Sequence, residues 1–220
     1  MNDMNQPTTL HIIRHGETEW NKKGLIQGFL DSPLTSLGKQ QAHAAGKTLS
    51  KTKFDCLYSS DLGRAFETAQ IINSYISVEL IAEKGLRERN LGVAQGGSLK
   101  DFMERFPGEY TKYASGNPDY QVPQGESARE RYSRSIECIE KIAGRHALKR
   151  IAIVTHGGVL DGIFRKAVGL DLSARRRFTL LNASVNIIEI RDGIWKLLQW
   201  GYVDHFDNIE MLDDWAGGGE

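Results

Sequence analysis

No stretch of this chain approaches the roughly 18 to 20 consecutive apolar residues that a bilayer-spanning helix needs; its apolar runs are as short as Ile151 to Val154. A membrane is therefore not an expected partner. Cysteine is scarce: Cys56 and Cys138 stand far apart in no CxxC pair, which excludes a disulfide scaffold and Cys-type zinc sites. Neither sign of charge prevails, since Lys+Arg and Asp+Glu both total 28, and a partner chosen by bulk charge, nucleic acid above all, is not expected. The opening MNDMNQPTTL has neither a basic nor an apolar secretory region, so the expected location is cytoplasmic. None of the six histidines falls in an HxH or HExxH pairing, and no metal site is expected.

What is present is a 220-residue chain with 40% hydrophobic content, enough to bury a sizeable core, and a single domain over 1–220 is expected. Short β-branched runs alternate with longer segments of helical period, the mark of βαβ units and a largely parallel sheet. Strands are predicted at Leu10–Ile13, Cys56–Tyr58, Val78–Ile81 and Ile151–Val154, and a hairpin pairs Val185–Ile190 with Trp195–Trp200. Helices are predicted from Ser36 to Leu49 behind a Thr35 cap, from Leu62 to Tyr75 behind Asp61, and after Glu126-Ser127. Between about 92 and 125, Gly-Gly, Pro-Gly and Asn-Pro pairs break any long element. That segment reads as an excursion over one end of the sheet, and about 215–220 as a flexible tail.

Open α/β sheets bind ligands at the carboxyl ends of their strands, so the residues that follow each strand carry the most information. Arg14-His15-Gly16 follows the first, Ser59-Ser60-Asp61-Leu62-Gly63-Arg64 the second, Leu86-Arg87-Glu88 comes after the third, and Thr155-His156-Gly157-Gly158 follows the fourth. Taken singly, each has a bland reading: a polar strand terminus, a surface arginine, a solvated carboxylate. In conjunction they describe a site for a phosphoryl group. Arginine forks match phosphate oxygens, and Gly157 and Gly158 open a helix whose amides attract anions. A histidine held neutral by like-charge repulsion keeps a lone pair for attack, and one carboxylate can protonate the departing oxygen.

These residues resemble the histidine phosphatase superfamily, also called phosphoglycerate mutase-like. LHIIRHGETEWN is similar to its nucleophile motif, SSDLGRAFETA to its second arginine motif, GLRERNLGVAQG to its acid motif and VTHGG to its second histidine motif. They stand in the family's order and span Leu10 to about Asp207. The resemblance implies a three-layer α/β/α sandwich with a mostly parallel central sheet. It also implies His15 as the phosphorylated nucleophile, Arg14, Arg64 and His156 as the phosphate pocket, and Glu88 as proton donor. Asn21 matches a phosphate contact, Gln27-Gly28 a substrate-facing turn and Gly157 an amide donor. No metal and no cofactor are implied.

Two departures stand out: Glu67 where relatives often have Gln, and Val93-Ala94-Gln95 in place of x-Trp-Glu. Mutases of the family carry paired arginines in a longer covering insertion, whereas Phe106 to Ala128 here contains none. The expected function is accordingly a phosphomonoesterase acting on small phosphate monoesters through a phosphohistidine. A cofactor-dependent phosphoglycerate mutase and a catalytically idle phosphate-binding module are the alternatives. Without an arginine from Phe106 to Ala128, apolar or aromatic monoesters are the expected preference, unless Arg175 to Arg177 or Lys100 folds over the pocket. Arg175-Arg176-Arg177 reads as a solvated helix face, the lid aromatics Phe102, Phe106, Tyr110, Tyr113 and Tyr120 as lid packing, and Asn182-Ala183-Ser184 as a sequon relevant only to secreted chains. A homodimer is compatible with this sequence.

Overall fold

The computed structural model describes residues 7–206; the predicted tail lies outside them. Six strands form one sheet in the order β3-β2-β4-β1-β5-β6. They are β1 (Thr8–Arg14), β2 (Cys56–Ser59), β3 (Leu80–Ala82), β4 (Arg150–Thr155), β5 (Val185–Arg191) and β6 (Ile194–Tyr202). β3, β2, β4 and β1 pair in parallel, while β1–β5 and β5–β6 are antiparallel. The side-chain period of two divides the core. Leu10, Ile12, Ile151 and Ile153 face one side and pack against α6 (Ala128–Arg145) and α7 (Gly157–Val168). Ile13, Ala152 and Val154 face the other and pack against α2 (Ser36–Leu49) and α3 (Gly63–Ile76). The result is the expected α/β sandwich, with a mixed sheet because of the antiparallel edge.

That division places the site. The chain leaves β1 toward α2 on one face and leaves the neighbouring β4 into α7 on the other, which opens a crevice between their carboxyl ends.

The excursion carries two short helices, α4 (Leu99–Arg105) and α5 (Pro107–Ala114). Rings of Phe106, Tyr110 and Tyr113 surround buried Phe102 at 6.2, 6.1 and 5.9 Å, as lid packing requires. The lid is tied to the segment before Gln27 by Ile26 N–H to Gly97 O and Gly96 N–H to Ile26 O, both 2.9 Å. The short helix α1 (Glu19–Lys23) precedes that segment.

Three local expectations are corrected. α3 is not capped by Asp61, whose carboxylate instead takes Arg87 at 2.6 Å; the cap comes from Asp31, which accepts from Gly63 N and Arg64 N. β3 begins at Leu80 rather than Val78, because the Asn73 side chain engages both backbone polar groups of Val78. Arg175 to Arg177 lie on a loop, not a helix. No helix among the described residues is long and apolar enough to cross a membrane.

Candidate active site

Backbone pairing at the sheet edge sets the first side chains. His15 N–H donates to Thr155 O at 2.9 Å and Ser60 N–H to Val154 O at 3.0 Å, so the carboxyl ends of β1, β4 and β2 stay in register. Arg14, His15, Arg64 and His156 are all buried there, and the two imidazole rings lie 5.2 Å apart.

His15 Nδ1 lies 2.8 Å from Gly16 O. A carbonyl only accepts, so Nδ1 carries the proton and the lone pair sits on Nε2. Both histidines are held well below the ordinary imidazole pKa, first by burial and then by the charges of Arg64 and Arg14. The direction matches the expectation, but desolvation rather than like-charge repulsion leads. His156 Nε2 is hydrogen-bonded to Ser60 Oγ at 2.8 Å. Its Nδ1 and Arg64 Nε are buried without a hydrogen-bond partner among the described residues, two groups that an anion oxygen would satisfy.

Arg64 is aimed by the loop before α2: Nη2 donates to Gly28 O and Nη1 to Leu30 O and Asp31 Oδ1, each at 2.9 Å. Gly28 thus serves the site through its carbonyl. Its left-handed backbone (φ 55°) and the absence of a Cβ let Gln95 pack against it, where Gln95 Oε1 accepts from Phe29 N at 2.7 Å. The departure at Gln95 therefore touches the loop that orients Arg64. Gln27 is buried, and its Oε1 makes no hydrogen bond among the described residues. Asn21 closes the cap of α1, its Oδ1 accepting from Thr18 N and Thr18 Oγ1.

Glu88 reaches the same edge from the turn after β3. Arg89 N–H donates to one carboxyl oxygen at 2.7 Å and Gly158 N–H to the other at 2.8 Å. The acceptor met by the Gly158 amide in this structure is thus the Glu88 carboxyl group. Arg14, Glu88, Gly157 and Gly158 line one cavity of about 270 Å³, together with Asp161, which sequence reading did not place there, and Arg176, one of the three arginines it allowed to fold over the pocket.

Other supporting residues were also missed. Asn182 Nδ2 donates to His15 O at 2.9 Å, a structural use of the apparent sequon. Arg134 donates to the carbonyls of Gly85, Arg87 and Glu88 at 3.0 to 3.1 Å and pairs with Glu126 at 2.6 Å, clamping the turn that presents Glu88. The helical charge pattern gives Arg134 no distinction from its exposed neighbours; only the folded turn does.

Residues 10–203 match the model of the histidine phosphatase superfamily (branch 1). The chain is 39% identical over 211 residues to "Phosphoglycerate mutase-like protein 4" of Arabidopsis thaliana, covering 94% of this chain and 90% of that one. It is 37% identical over 208 residues to the "Metal-independent phosphoserine phosphatase" of the same plant, covering 93% and 86%. Among solved structures it resembles Bacillus stearothermophilus YhfR with a TM-score of 0.83 and 32% identity, over 90% of this chain and 98% of that one.

Proposed function

Starting from the fact that this chain belongs to the histidine phosphatase superfamily, we propose that it is a metal-independent phosphomonoesterase working through a phosphohistidine on His15. The observation that carries the reading is the tautomer of His15: Nδ1–H is committed to Gly16 O, and Nε2 keeps its lone pair beside two arginines. In the first step Nε2 attacks phosphorus, the P–O bond to the alcohol breaks, and Glu88 gives its proton to the departing oxygen. Arg14 and Arg64 balance charge on the transferring oxygens, and His156 donates to them from the ring nitrogen not engaged by Ser60. Water then attacks phosphorus with its proton passing to Glu88, the P–N bond breaks with its electron pair returning to His15 Nε2, and inorganic phosphate leaves.

Metal independence is supported by the name of one relative and by the charges at hand. A divalent cation at His15 would sit beside the buried guanidiniums of Arg14 and Arg64, which repel it. Hydrolysis rather than mutase action is supported by a lid without arginine from Phe106 to Ala128, whose Lys112 pairs with Glu109 at 3.0 Å.

The test is hydrolysis of p-nitrophenyl phosphate in EDTA, with acid-labile phosphate trapped on the wild-type protein after rapid quench. His15→Ala should abolish both turnover and trapped phosphate. Strict dependence on an added divalent metal, or turnover that survives His15→Ala, would overturn the scheme. Interconversion of 2- and 3-phosphoglycerate faster than phosphate release would make the protein a mutase.

A further inference from the structure

We propose that Ser60 is a positioning residue of the site: its hydroxyl donates to His156 Nε2 and so fixes the proton of that ring on Nδ1, the nitrogen that meets the transferring phosphoryl group. Both histidines are then the same tautomer and differ only in the end they turn to the phosphorus. The tautomer follows from the hydrogen bonds of Ser60, and only what His156 donates to rests on the phosphatase reading above.

Ser60 directly follows β2, where Ser59 is the register partner of Val154 on β4, so its side chain comes up beside the turn from β4 into α7. It is held there from two sides. Its N–H donates to Val154 O at 3.0 Å, and its Oγ accepts from Leu62 N–H at 3.3 Å in the turn into α3. The same Oγ lies 2.8 Å from His156 Nε2, and both residues are fully buried. His156 is the N-cap of α7 yet makes no side-chain capping hydrogen bond, which leaves its ring to the site.

A hydroxyl has one proton to give, and among the described residues the acceptor that the Ser60 hydroxyl meets is His156 Nε2. Burial holds the His156 pKa well below the ordinary value, so at pH 7 the ring carries one proton on one of its two nitrogens. Were that proton on Nε2, it would point at Ser60 Oγ, and the serine proton would be buried without an acceptor, the costlier arrangement. With the proton on Nδ1, Ser60 both gives and accepts, and the group left over is Nδ1–H, the buried nitrogen without a partner among the described residues. A donor there attracts a phosphoryl oxygen, whereas a lone pair would repel it. His15 shows the reverse use of the same tautomer: Gly16 O holds its proton on Nδ1, and Nε2 is left to attack. A hydroxyl behind one ring and a carbonyl behind the other thus separate donor from nucleophile with the rings 5.2 Å apart and neither charged.

Nitrogen-15 NMR of the resting protein labelled at histidine tests the assignment without turnover, the His156 signals being identified by their loss in His156→Asn. At pH 7 Nδ1 of His156 should be protonated and Nε2 bare; a protonated Nε2 would overturn the proposal, and this measurement needs no variant at position 60. In Ser60→Ala a share of the proton should move to Nε2, and an unchanged His156 spectrum would refute the role of Ser60. Kinetics give a second readout, because His156 acts on the oxygens that travel with phosphorus and not on the departing one. Ser60→Ala should lower kcat by about 10- to 100-fold, the scale of a buried hydrogen bond lost, and by the same factor on p-nitrophenyl phosphate and glycerol 3-phosphate in EDTA. A loss confined to glycerol 3-phosphate would tie Ser60 to leaving-group protonation instead and refute the proposal, as would full activity on both. Absence of hydrolysis by the wild type would sink the phosphatase reading and leave the tautomer to be decided by the spectrum.

Discussion

At position 158 a single methyl group separates stability from chemistry. A Cβ there would lie 2.2 Å from Glu88 Oε1 and 3.0 Å from its Cδ, so the carboxyl group must swing away. The obstructing atom ends a flexible side chain, and alanine is the better helix former by about 1 kcal/mol. Gly158→Ala should therefore leave the melting temperature unchanged or higher while weakening catalysis. The loss should depend on the leaving group, because an alkoxide needs its proton in the transition state and p-nitrophenolate hardly does. Glu88→Gln sets the ceiling at about 10² to 10⁴ on alkyl phosphates, and Gly158→Ala should fall below it with the same pattern. Single-turnover phosphoenzyme formation from both ester types would check this, and equal slowing of the two would argue against leaving-group protonation by Glu88. His15, Arg64, Glu88 and His156 are legible as a group because each follows a predicted strand end within a few residues. Asn182 is not, since loop packing brings it to the site from far along the chain; Asp161, one turn past His156 on α7, carries no local mark that separates it from an ordinary helix charge.

Helix ends show the same division between local and distant causes. Thr35 and Ser127 cap α2 and α6 by accepting from Gly38 N and Glu130 N at 2.9 and 3.0 Å, a relation confined to four consecutive residues and so readable. The start of α3 is capped from Asp31, which no local pattern announces, and Asp61, the local candidate, serves Arg87 instead. Asp31 also binds the Arg64 guanidinium, so one carboxylate fixes both the helix start and the side chain it presents. Asp31→Ala should cost about 1 to 2 kcal/mol, the upper part of the range for a lost cap. Amide exchange at Gly63 and Arg64 should speed up in that variant and stay unchanged in Asp61→Ala. Faster exchange in the Asp61 variant instead would return the cap to Asp61. The lid was legible as an excursion from its glycines and prolines, but α4 and α5 were not, since each spans only seven or eight residues and takes its stability from Phe102 packing rather than from period.

For the molecule as a whole, the largely parallel sheet was readable because short β-branched runs alternate with helical segments, and the apolar runs of β1 and β4, buried almost throughout, agree with the three layers that the resemblance implies, while the mixed sheet follows from a hairpin edge. Burying histidines at the centre of that sandwich has a consequence for folding. His15 and His156 are held well below the ordinary imidazole pKa, His205 is lowered, and His11 is brought down to about 4 by burial and Arg150. An unfolded imidazole takes its proton near pH 6.5, so below that pH the unfolded chain binds more protons than the folded one and stability falls as pH falls. Each such group contributes a slope of at most roughly 1.4 kcal/mol per pH unit. The carboxylates Asp55, Asp61 and Glu130 are held below their usual values, so their contribution is lost only below about pH 4, the range where unfolded carboxyl groups titrate. Urea unfolding between pH 7 and pH 5 thus isolates the histidines, and a steady loss of stability is expected there. His11, which packs edge-on against Phe54 at 4.9 Å on the face away from α7, supplies a control outside the proposed machinery. His11→Leu should flatten the slope by one proton's share while hydrolysis of p-nitrophenyl phosphate is retained, and an unchanged slope would remove His11 from the titrating set.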